Sequence, residues 1–323
     1  MKVIKKYKNK IKKILVKGKL LLYYCNKISF SNQPKKKQIV IVFDGKIQHG
    51  GLVDRLKGIV SFYQIAKEVN ADFKIYFKHP FELNLFLETN QFNWNATEDD
   101  LKWNPINTKI LYLMDDFKIN PKESISKSNK KKFIVYANID YSVTIHEALD
   151  LNEQNDLWRI SFNELFKKSN YLETALSSIV ANNNTIAIHT RFTSILGDFK
   201  DTTKREVSDQ RKIAIIEALK ISILEIAKEY PEKEICVFSD SIRFLNEIKL
   251  NTPYKVLDGI PKHIDFDKKK QNVIEEHQKT FTDFFAIAES EKVFLLKTKE
   301  MYNSAFGKYA AIVGNCDFNI VSI

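Results

Sequence analysis

The sequence has few cysteines, few glycines and prolines and no long apolar run, and each shortage excludes a class of protein. Three cysteines (Cys25, Cys236 and Cys316) in 323 residues are an odd number lying far apart, which excludes a disulfide scaffold and predicts a reducing compartment. Nine glycines and seven prolines exclude collagen-like and low-complexity chains. The longest apolar run, residues 20–25, is too short to cross a bilayer or to form a signal-peptide core.

Acidic residues are missing from the start of the chain. Residues 1–37 contain 13 lysines and no Asp or Glu, whereas residues 38–323 hold 38 basic and 40 acidic residues, so the net charge of +11 belongs to an N-terminal arm. The apolar residues of this arm recur at spacings of three and four, with lysines between them: Ile4, Tyr7, Ile11, Ile14, Leu15 and Leu22. This spacing predicts a basic amphipathic helix that binds an anionic membrane surface.

We therefore expect a cytoplasmic protein, peripheral on the inner face of the membrane. Two alternatives for the arm are a solvated tail and a structural helix that packs on the body of the protein. No base-reading module accompanies the lysines, so nucleic acid is not an expected partner.

Arginine is also scarce, with 45 lysines against six arginines. A chain with this bias is expected to keep arginine where a planar, bidentate donor is needed. Only Arg55 and Arg191 lie at predicted strand-to-helix junctions, where α/β proteins place ligand sites.

The remaining chain alternates β-branched and aromatic runs with segments of helical period. Predicted strands are residues 38–43, 73–77, 110–113, 133–136, 185–189, 234–239, 254–257, 292–297 and 318–321. Predicted helices are residues 52–69, 209–230, 241–250, 272–290 and 303–313. Such alternation predicts an α/β protein with parallel sheets covered on both faces. Two Rossmann-like domains, residues 38–180 and 181–323, follow the arm of residues 1–37.

The first candidate site follows the first strand and contains His49, Gly50, Gly51, Asp54 and Arg55. Two glycines allow close backbone approach, and a helix then begins with outward N–H groups, which suit an anion or a sugar. The glycine spacing matches neither the dinucleotide fingerprint nor a P-loop. The alternative is a glycine turn in which Asp54 is a favourable charge in the first helical turn.

The second candidate site follows the strand at 185–189 and contains His189, Arg191 and Asp198. An arginine that leaves the carboxyl end of a buried strand can donate a planar fork to diphosphate oxygens, and His189 faces the same way. The alternative is a structural ion pair between Arg191 and Asp198.

A third set of polar residues lies at later strand ends and helix starts: Ser239, Asp240, Ser241, Asn303 and Ser304. These groups can hold a nucleotide, although capping of the helices is the alternative. Asp265 and Asp267 form a DxD in a lysine-rich loop, where we expect no metal site.

Taken together, these segments resemble the superfamily of α1,2-, α1,6- and protein O-fucosyltransferases, which have two Rossmann-like domains in the GT-B fold. The resemblance rests on residues 49–59 (HGGLVDRLKGI) and 189–199 (HTRF with LGDF), supported by 238–241, 281–288 and 303–306. It implies that His189 and Arg191 bind the donor diphosphate, and that Ser239, Asp240, Ser241, Asn303 and Ser304 contact GDP. His49, Gly50, Gly51 and Arg55 are expected to contact donor or acceptor.

The resemblance implies an inverting glycosyltransferase that moves a sugar from a GDP-sugar co-substrate to a hydroxyl of a surface glycan of lipopolysaccharide or capsule type, which can be lipid-linked. We expect no cofactor and no metal. Arg191 is expected to stabilise the leaving diphosphate, with Asp54 as the first and Asp198 as the second candidate for the general base. The alternatives are a transferase that uses another nucleotide sugar and a non-catalytic binding protein on the same fold.

Overall fold

The computed structural model describes residues 2–30, 34–177, 179, 184–201, 204–266 and 273–323. The first elements in chain order are α1 (Lys2–Cys25), β1 (Gln38–Phe43), α2 (Leu52–Glu68), β2 (Asp72–Phe77), β3 (Leu87–Thr89), β4 (Thr108–Tyr112), α3 (Pro121–Ser126), β5 (Lys132–Tyr136), α4 (Ser142–Ile145) and α5 (Leu151–Leu165). The later elements are β6 (Phe166–Lys168), α6 (Asn170–Ser177), β7 (Thr185–Thr190), α7 (Asp209–Glu229), β8 (Glu234–Ser239), α8 (Ile242–Asn251), α9 (Val273–Ala288), β9 (Lys292–Lys297), α10 (Phe306–Gly314) and β10 (Asp317–Ser322).

The chain divides into two compact units, which we call unit 1 (Met1–Glu82 with Thr89–Leu165) and unit 2 (Leu83–Glu88 with Phe166–Ile323). Unit 1 contains a parallel sheet with the strand order β2-β1-β5-β4. Its inner strand β1 is buried along Ile39–Phe43, which is typical of a parallel sheet covered on both faces. Helix α2 packs close to the end of β5, because Gly58 has no Cβ, and an added Cβ would lie 2.5 Å from the Ala137 carbonyl oxygen.

Unit 2 contains a second parallel sheet with the strand order β10-β9-β7-β8. Strand β7 is buried along its whole length and lies between β8 and β9. The carboxyl ends of β7, β8 and β9 therefore meet at one edge of the sheet, where parallel α/β folds bind ligands. The predicted α/β class with parallel sheets is confirmed.

The strand predicted at residues 254–257 is wrong. This segment makes only one isolated bridge to β8, between Lys255 and Cys236. Its two backbone hydrogen bonds join Lys255 to Val237 and Ile235. Pro253 has no N–H, so the pairing cannot extend from Lys255 towards the start of this segment.

The two units divide after Leu165 rather than near residue 180. Residues 178 and 180–183 lie outside the described residues. Strand β6 pairs with β3, and helix α6 packs against α9, so the segment after α5 folds with unit 2. The ring of Phe86 stacks on Phe281 with 4.2 Å between the centroids, which joins residues 83–88 to the same unit.

The N-terminal arm is helical, as its spacing predicts, but it is not separate from the body of unit 1. Leu20 and Tyr24 of α1 are 1% and 0% exposed and pack in a cluster with Val40, Val42 and Ile134 of the sheet. The packing thus favours the structural-helix alternative for the second half of α1. Within the described residues, no helix is both long enough and apolar enough to cross a membrane.

Candidate functional site

The end of β7 places Arg191 at the sheet edge of unit 2, where two carboxylates hold it. Its Nη2 donates to Asp201 Oδ2 at 2.5 Å, and its Nε lies 3.2 Å from Asp240 Oδ2. The guanidinium lies over the ring of Phe199, 4.7 Å from its centroid. The Arg191–Asp198 pair considered from the sequence is therefore wrong, and the acidic partners are Asp201 and Asp240.

Asp240 shapes the turn that follows β7. Its Oδ1 accepts from the Phe192 amide at 2.8 Å and its Oδ2 accepts from the Thr193 amide at 2.7 Å. Burial raises the pKa of Asp240 to about 6, although Arg191 and the two amides act to lower it. Because the Asp240 carboxylate is bonded to two amides and to Arg191, it positions Arg191 and the turn. Its negative charge would repel a phosphate rather than bind it.

His189 lies at the same end of β7 as a buried, neutral ring. It stacks on Phe306, the first residue of α10, with 5.6 Å between centroids and 25° between planes. Burial and the nearby Arg191 charge lower the pKa of His189 to about 3, so the imidazole is uncharged at pH 7. Among the described residues, no group makes a hydrogen bond to His189 Nδ1. His189 therefore adds no positive charge to this end of the sheet at pH 7.

The serines at the end of β8 and at the start of α8 are held by hydrogen bonds within unit 2. Ser241 is the N-cap of α8, and its Oγ accepts from the Phe244 amide at 3.1 Å and donates to Asp198 Oδ2 at 2.8 Å. Asp198 also accepts from the Arg243 amide at 2.8 Å. The Ser239 Oγ accepts from Thr190 Oγ1 at 3.0 Å. The capping alternative thus describes Ser241, and Asp198 is held at the start of the same helix.

Asn303 and Ser304 lie just before α10 and close to Arg191. The Tyr302 amide donates to the Arg191 carbonyl oxygen at 3.2 Å, which joins this segment to the end of β7. Asn303 Oδ1 accepts from Lys297 Nζ at 3.1 Å, and Ser304 Oγ accepts from the Phe306 amide at 3.2 Å. The structure therefore brings together three segments that are far apart in the sequence.

The ends of β7 and β8 and the start of α10 line a cleft in unit 2. The residues lining the cleft are His189, Arg191, Phe199, Phe238, Ser239, Asp240, Pro261, Lys262, Lys279, Thr280, Asp283 and Phe306. Its mixture of aromatic side chains with a few polar groups is typical of a small-molecule site.

Sequence reasoning missed a charged pair that also lines the cleft. Lys279 Nζ donates to Asp283 Oδ1 at 2.9 Å and to the Leu257 carbonyl oxygen at 3.0 Å. Burial raises the pKa of Asp283, with Lys279 opposing the rise. The signal in the sequence is a lysine and an aspartate four residues apart on α9, beside residues 284–288, which are all buried.

The first candidate segment folds in unit 1 as a tight loop around Arg55. Arg55 is fully buried, its Nε donates to the Gly50 carbonyl oxygen at 3.1 Å, and its Nη1 donates to the His79 carbonyl oxygen. Gly50 has φ +85°, and an added Cβ would lie 2.9 Å from Asp54 Oδ2, so glycine is required there. Arg55 therefore stabilises the loop through hydrogen bonds to backbone carbonyls, and its side chain does not face solvent.

The other residues of this loop differ in exposure. His49 is buried, and its Nε2 accepts from the Gly45 amide at 3.1 Å. Gly51 is the N-cap of α2. The Asp54 side chain is 43% exposed in the first turn of α2 and pairs with Lys57 at 2.7 Å. Of the two carboxylates proposed as general base, Asp54 is thus the one that does not cap a helix.

The described residues contain no group of three or more His, Cys, Asp or Glu side chains arranged to hold a metal ion. Asp265 lies in a short 3₁₀ helix, and Asp267, the other carboxylate of the DxD, lies outside the described residues.

Comparison with known proteins identifies the fold. No protein-family model matches the sequence, and a search of curated proteins gives no significant match. Among solved structures, the chain is similar to the NodZ α-1,6-fucosyltransferase soaked with GDP-fucose, with a TM-score of 0.52 and 13% identity, over 86% of this chain and 93% of that one. It is similar to the selenomethionine form of fucosyltransferase NodZ from Bradyrhizobium with a TM-score of 0.50 and 13% identity, over 86% and 92% of the two chains. At 13% identity, these similarities show that the chain shares the fold of these fucosyltransferase structures.

Proposed function

We propose that this protein is a glycosyltransferase that transfers a sugar from a GDP-sugar to a hydroxyl of a glycan. The observation that carries the proposal is the cleft at the carboxyl ends of β7 and β8, which holds Arg191 and the Lys279–Asp283 pair. The structural neighbour soaked with GDP-fucose supports a nucleotide-sugar ligand. In the GT-B organisation, we assign the donor to unit 2 and the acceptor to unit 1.

Arg191 is the proposed ligand of the donor diphosphate. Two edges of its guanidinium are already bonded to Asp201 and Asp240, while Nη1 has no partner among the described residues. A phosphate oxygen can bind Nη1 without displacing either carboxylate. The fixed guanidinium then stabilises the negative charge that grows on the leaving diphosphate.

The Lys279–Asp283 pair is the proposed reader of the base. Guanine presents an acceptor, O6, beside two donors, N1–H and the N2 amino group. An ammonium beside a carboxylate complements this order of groups, whereas the adenine edge has a donor beside an acceptor, in the reverse order. Uracil matches the pair in part, through O4 and N3–H. We therefore expect the affinity order GDP, UDP, ADP.

For the reaction, we propose attack of an acceptor hydroxyl on the anomeric carbon with inversion and without a metal ion. The bond from the anomeric carbon to the diphosphate oxygen breaks, the diphosphate leaves with the electron pair, and the hydroxyl proton passes to a base. Asp54 is the first candidate for that base, because its carboxylate is partly exposed. Asp198 is the weaker candidate, because Ser241 and the Arg243 amide already occupy it. The acceptor we propose is a surface glycan under assembly.

Calorimetric titration of nucleotides tests the assignment of the cleft. The change is Arg191→Lys, which keeps the charge and loses the planar fork. We expect GDP affinity to fall about 10- to 100-fold, since a hydrogen bond to a charged group contributes about 1.5–3 kcal/mol. The matched control is Arg243→Lys on an exposed residue at the start of α8. Equal GDP affinity in the wild type and in Arg191→Lys would remove Arg191 from the site.

A further inference from the structure

Helix α1 has apolar residues on two faces, although a surface helix normally has one. Leu20 and Tyr24 face the core of unit 1, as described above. The opposite face is apolar too, and its residues recur at helical spacing with these exposed fractions: Ile11 56%, Ile14 59%, Leu15 67%, Leu21 48% and Leu22 71%. Exposed aliphatic residues in one stripe mark an interaction surface. We call these five residues the outward face.

The surroundings of the outward face carry charge of one sign. Lys17 and Lys19 are exposed on its two flanks, and the first 37 residues contain 13 lysines and no acidic residue. Gly18 lies within the stripe, and an added Cβ there would have no neighbour within 4 Å. The surface is therefore an apolar stripe between lysines, which is the pattern of helices that lie in a membrane interface.

We propose that the outward face of α1 binds an anionic lipid surface and seats unit 1 on the membrane, with the helix lying in the interface. Lipid fits this surface because acyl chains take the aliphatic side chains while anionic headgroups take the lysines. A second copy of the chain fits it less well, because two such faces would bring lysine flanks of like charge together. This binding is independent of the function proposed for the cleft.

The outward face has a fixed position in unit 1, because hydrogen bonds join α1 to the sheet. The hydroxyls of Tyr24 and Tyr136 lie 2.9 Å apart, and the Tyr136 hydroxyl donates to Asp44 Oδ2 at 2.9 Å. Asp44 follows β1 directly and lies 3.6 Å from His49 Nε2, measured from its Oδ1. A lipid surface bound at α1 therefore has a fixed position relative to the loop that carries Gly50 and Asp54.

Co-sedimentation with vesicles tests the proposal on the full chain. The probes are vesicles of phosphatidylcholine alone and vesicles with about 30% phosphatidylglycerol, an anionic lipid. The variant is Ile14→Ser, Leu15→Ser and Leu22→Ser together, which leaves the core residues of α1 in place. The matched control is Ile213→Ser, Ile221→Ser and Leu224→Ser on α7, where the aliphatic side chains are similarly exposed but acidic residues alternate with lysines.

We expect the wild type and the α7 variant to bind the anionic vesicles, and the α1 variant to bind at least about tenfold more weakly. Relative to the wild type, the double variant Lys17→Gln and Lys19→Gln should lose more vesicle binding at low salt than at high salt, because salt screens the attraction between lysines and headgroups. Equal vesicle binding by the wild type and the α1 variant would overturn the proposal. So would a wild-type dimer in sedimentation equilibrium that the α1 variant abolishes, together with no vesicle binding, because the face would then belong to a second copy.

Discussion

Arg191 illustrates how one residue can be fixed and partly neutralised by the same contacts. Asp201 and Asp240 bond two edges of the guanidinium, so its plane is set before any ligand arrives. The same two carboxylates cancel much of its charge, and His189 adds none at neutral pH. The scarcity of arginine directs attention to this position, but these acidic partners cannot be recognised from the sequence.

The substitution Asp201→Asn tests whether this carboxylate competes with the ligand. The amide keeps the shape of the side chain and removes one negative charge beside Arg191, so we expect GDP to bind about three- to tenfold more tightly. Calorimetry measures the change, and Asp209→Asn, at a fully exposed carboxylate at the start of α7, is the control. Weaker binding in Asp201→Asn would mean that Asp201 orients Arg191 for the phosphate instead.

His189 predicts a specific response of stability to pH. In the unfolded chain it binds a proton near pH 6.5, but in the folded protein only near pH 3. Its contribution to the free energy of unfolding is therefore present above pH 6.5 and is lost as the pH falls towards 3. His189→Phe keeps the stacking on Phe306 and removes the titration.

Urea unfolding at about pH 7 and about pH 4.5 measures this difference. We expect the wild type to lose about 2 kcal/mol more than His189→Phe over this interval. The raised pKa of Asp240 acts in the opposite direction, because its contribution is present in acid and is lost as the pH rises through about 6. Asp240 is present in both proteins and largely cancels in the comparison. Parallel pH profiles would contradict a low pKa for His189.

At the scale of elements, α1 separates a structural face from an exposed one. Leu20→Ala removes a side chain that is 1% exposed, and we expect a loss of about 2–4 kcal/mol in the free energy of unfolding. Leu22→Ala, on a residue 71% exposed in the same helix, is the matched control and should change it by less than about 0.5 kcal/mol. Equal losses in urea unfolding would contradict the two-faced description.

The sequence predicts the parallel strands to within one or two residues, because a strand buried on both faces is a continuous run of β-branched and aromatic residues. It does not predict which face of α1 packs, since both faces are apolar and the partner Tyr136 lies more than 100 residues away. Helix α5 was not among the predicted helices, although Trp158, Phe162 and Leu165 recur at spacings of four and three on one buried face.

At the scale of the whole molecule, the sequence predicts the segments of the cleft but only part of its chemistry. Residues 189–191, 239–241 and 303–304 meet because parallel strands end at one edge of a sheet. Lys279 and Asp283 lie in the middle of α9, away from any strand end, so the rule that ligands bind at strand ends does not predict them. Arg55 and Ser241 show the reverse case, since their polar groups serve a loop and a helix start.

The most direct measurement of the central claim is the release of nucleoside diphosphate from a panel of donors: GDP-fucose, GDP-mannose and UDP-sugars, each with and without EDTA. The account predicts turnover of a GDP-sugar that survives EDTA and falls about 10- to 100-fold in Arg191→Lys while Arg243→Lys keeps it. Turnover of UDP-sugars alone, loss of activity in EDTA with rescue by manganese, or no turnover of any nucleotide sugar would contradict the account.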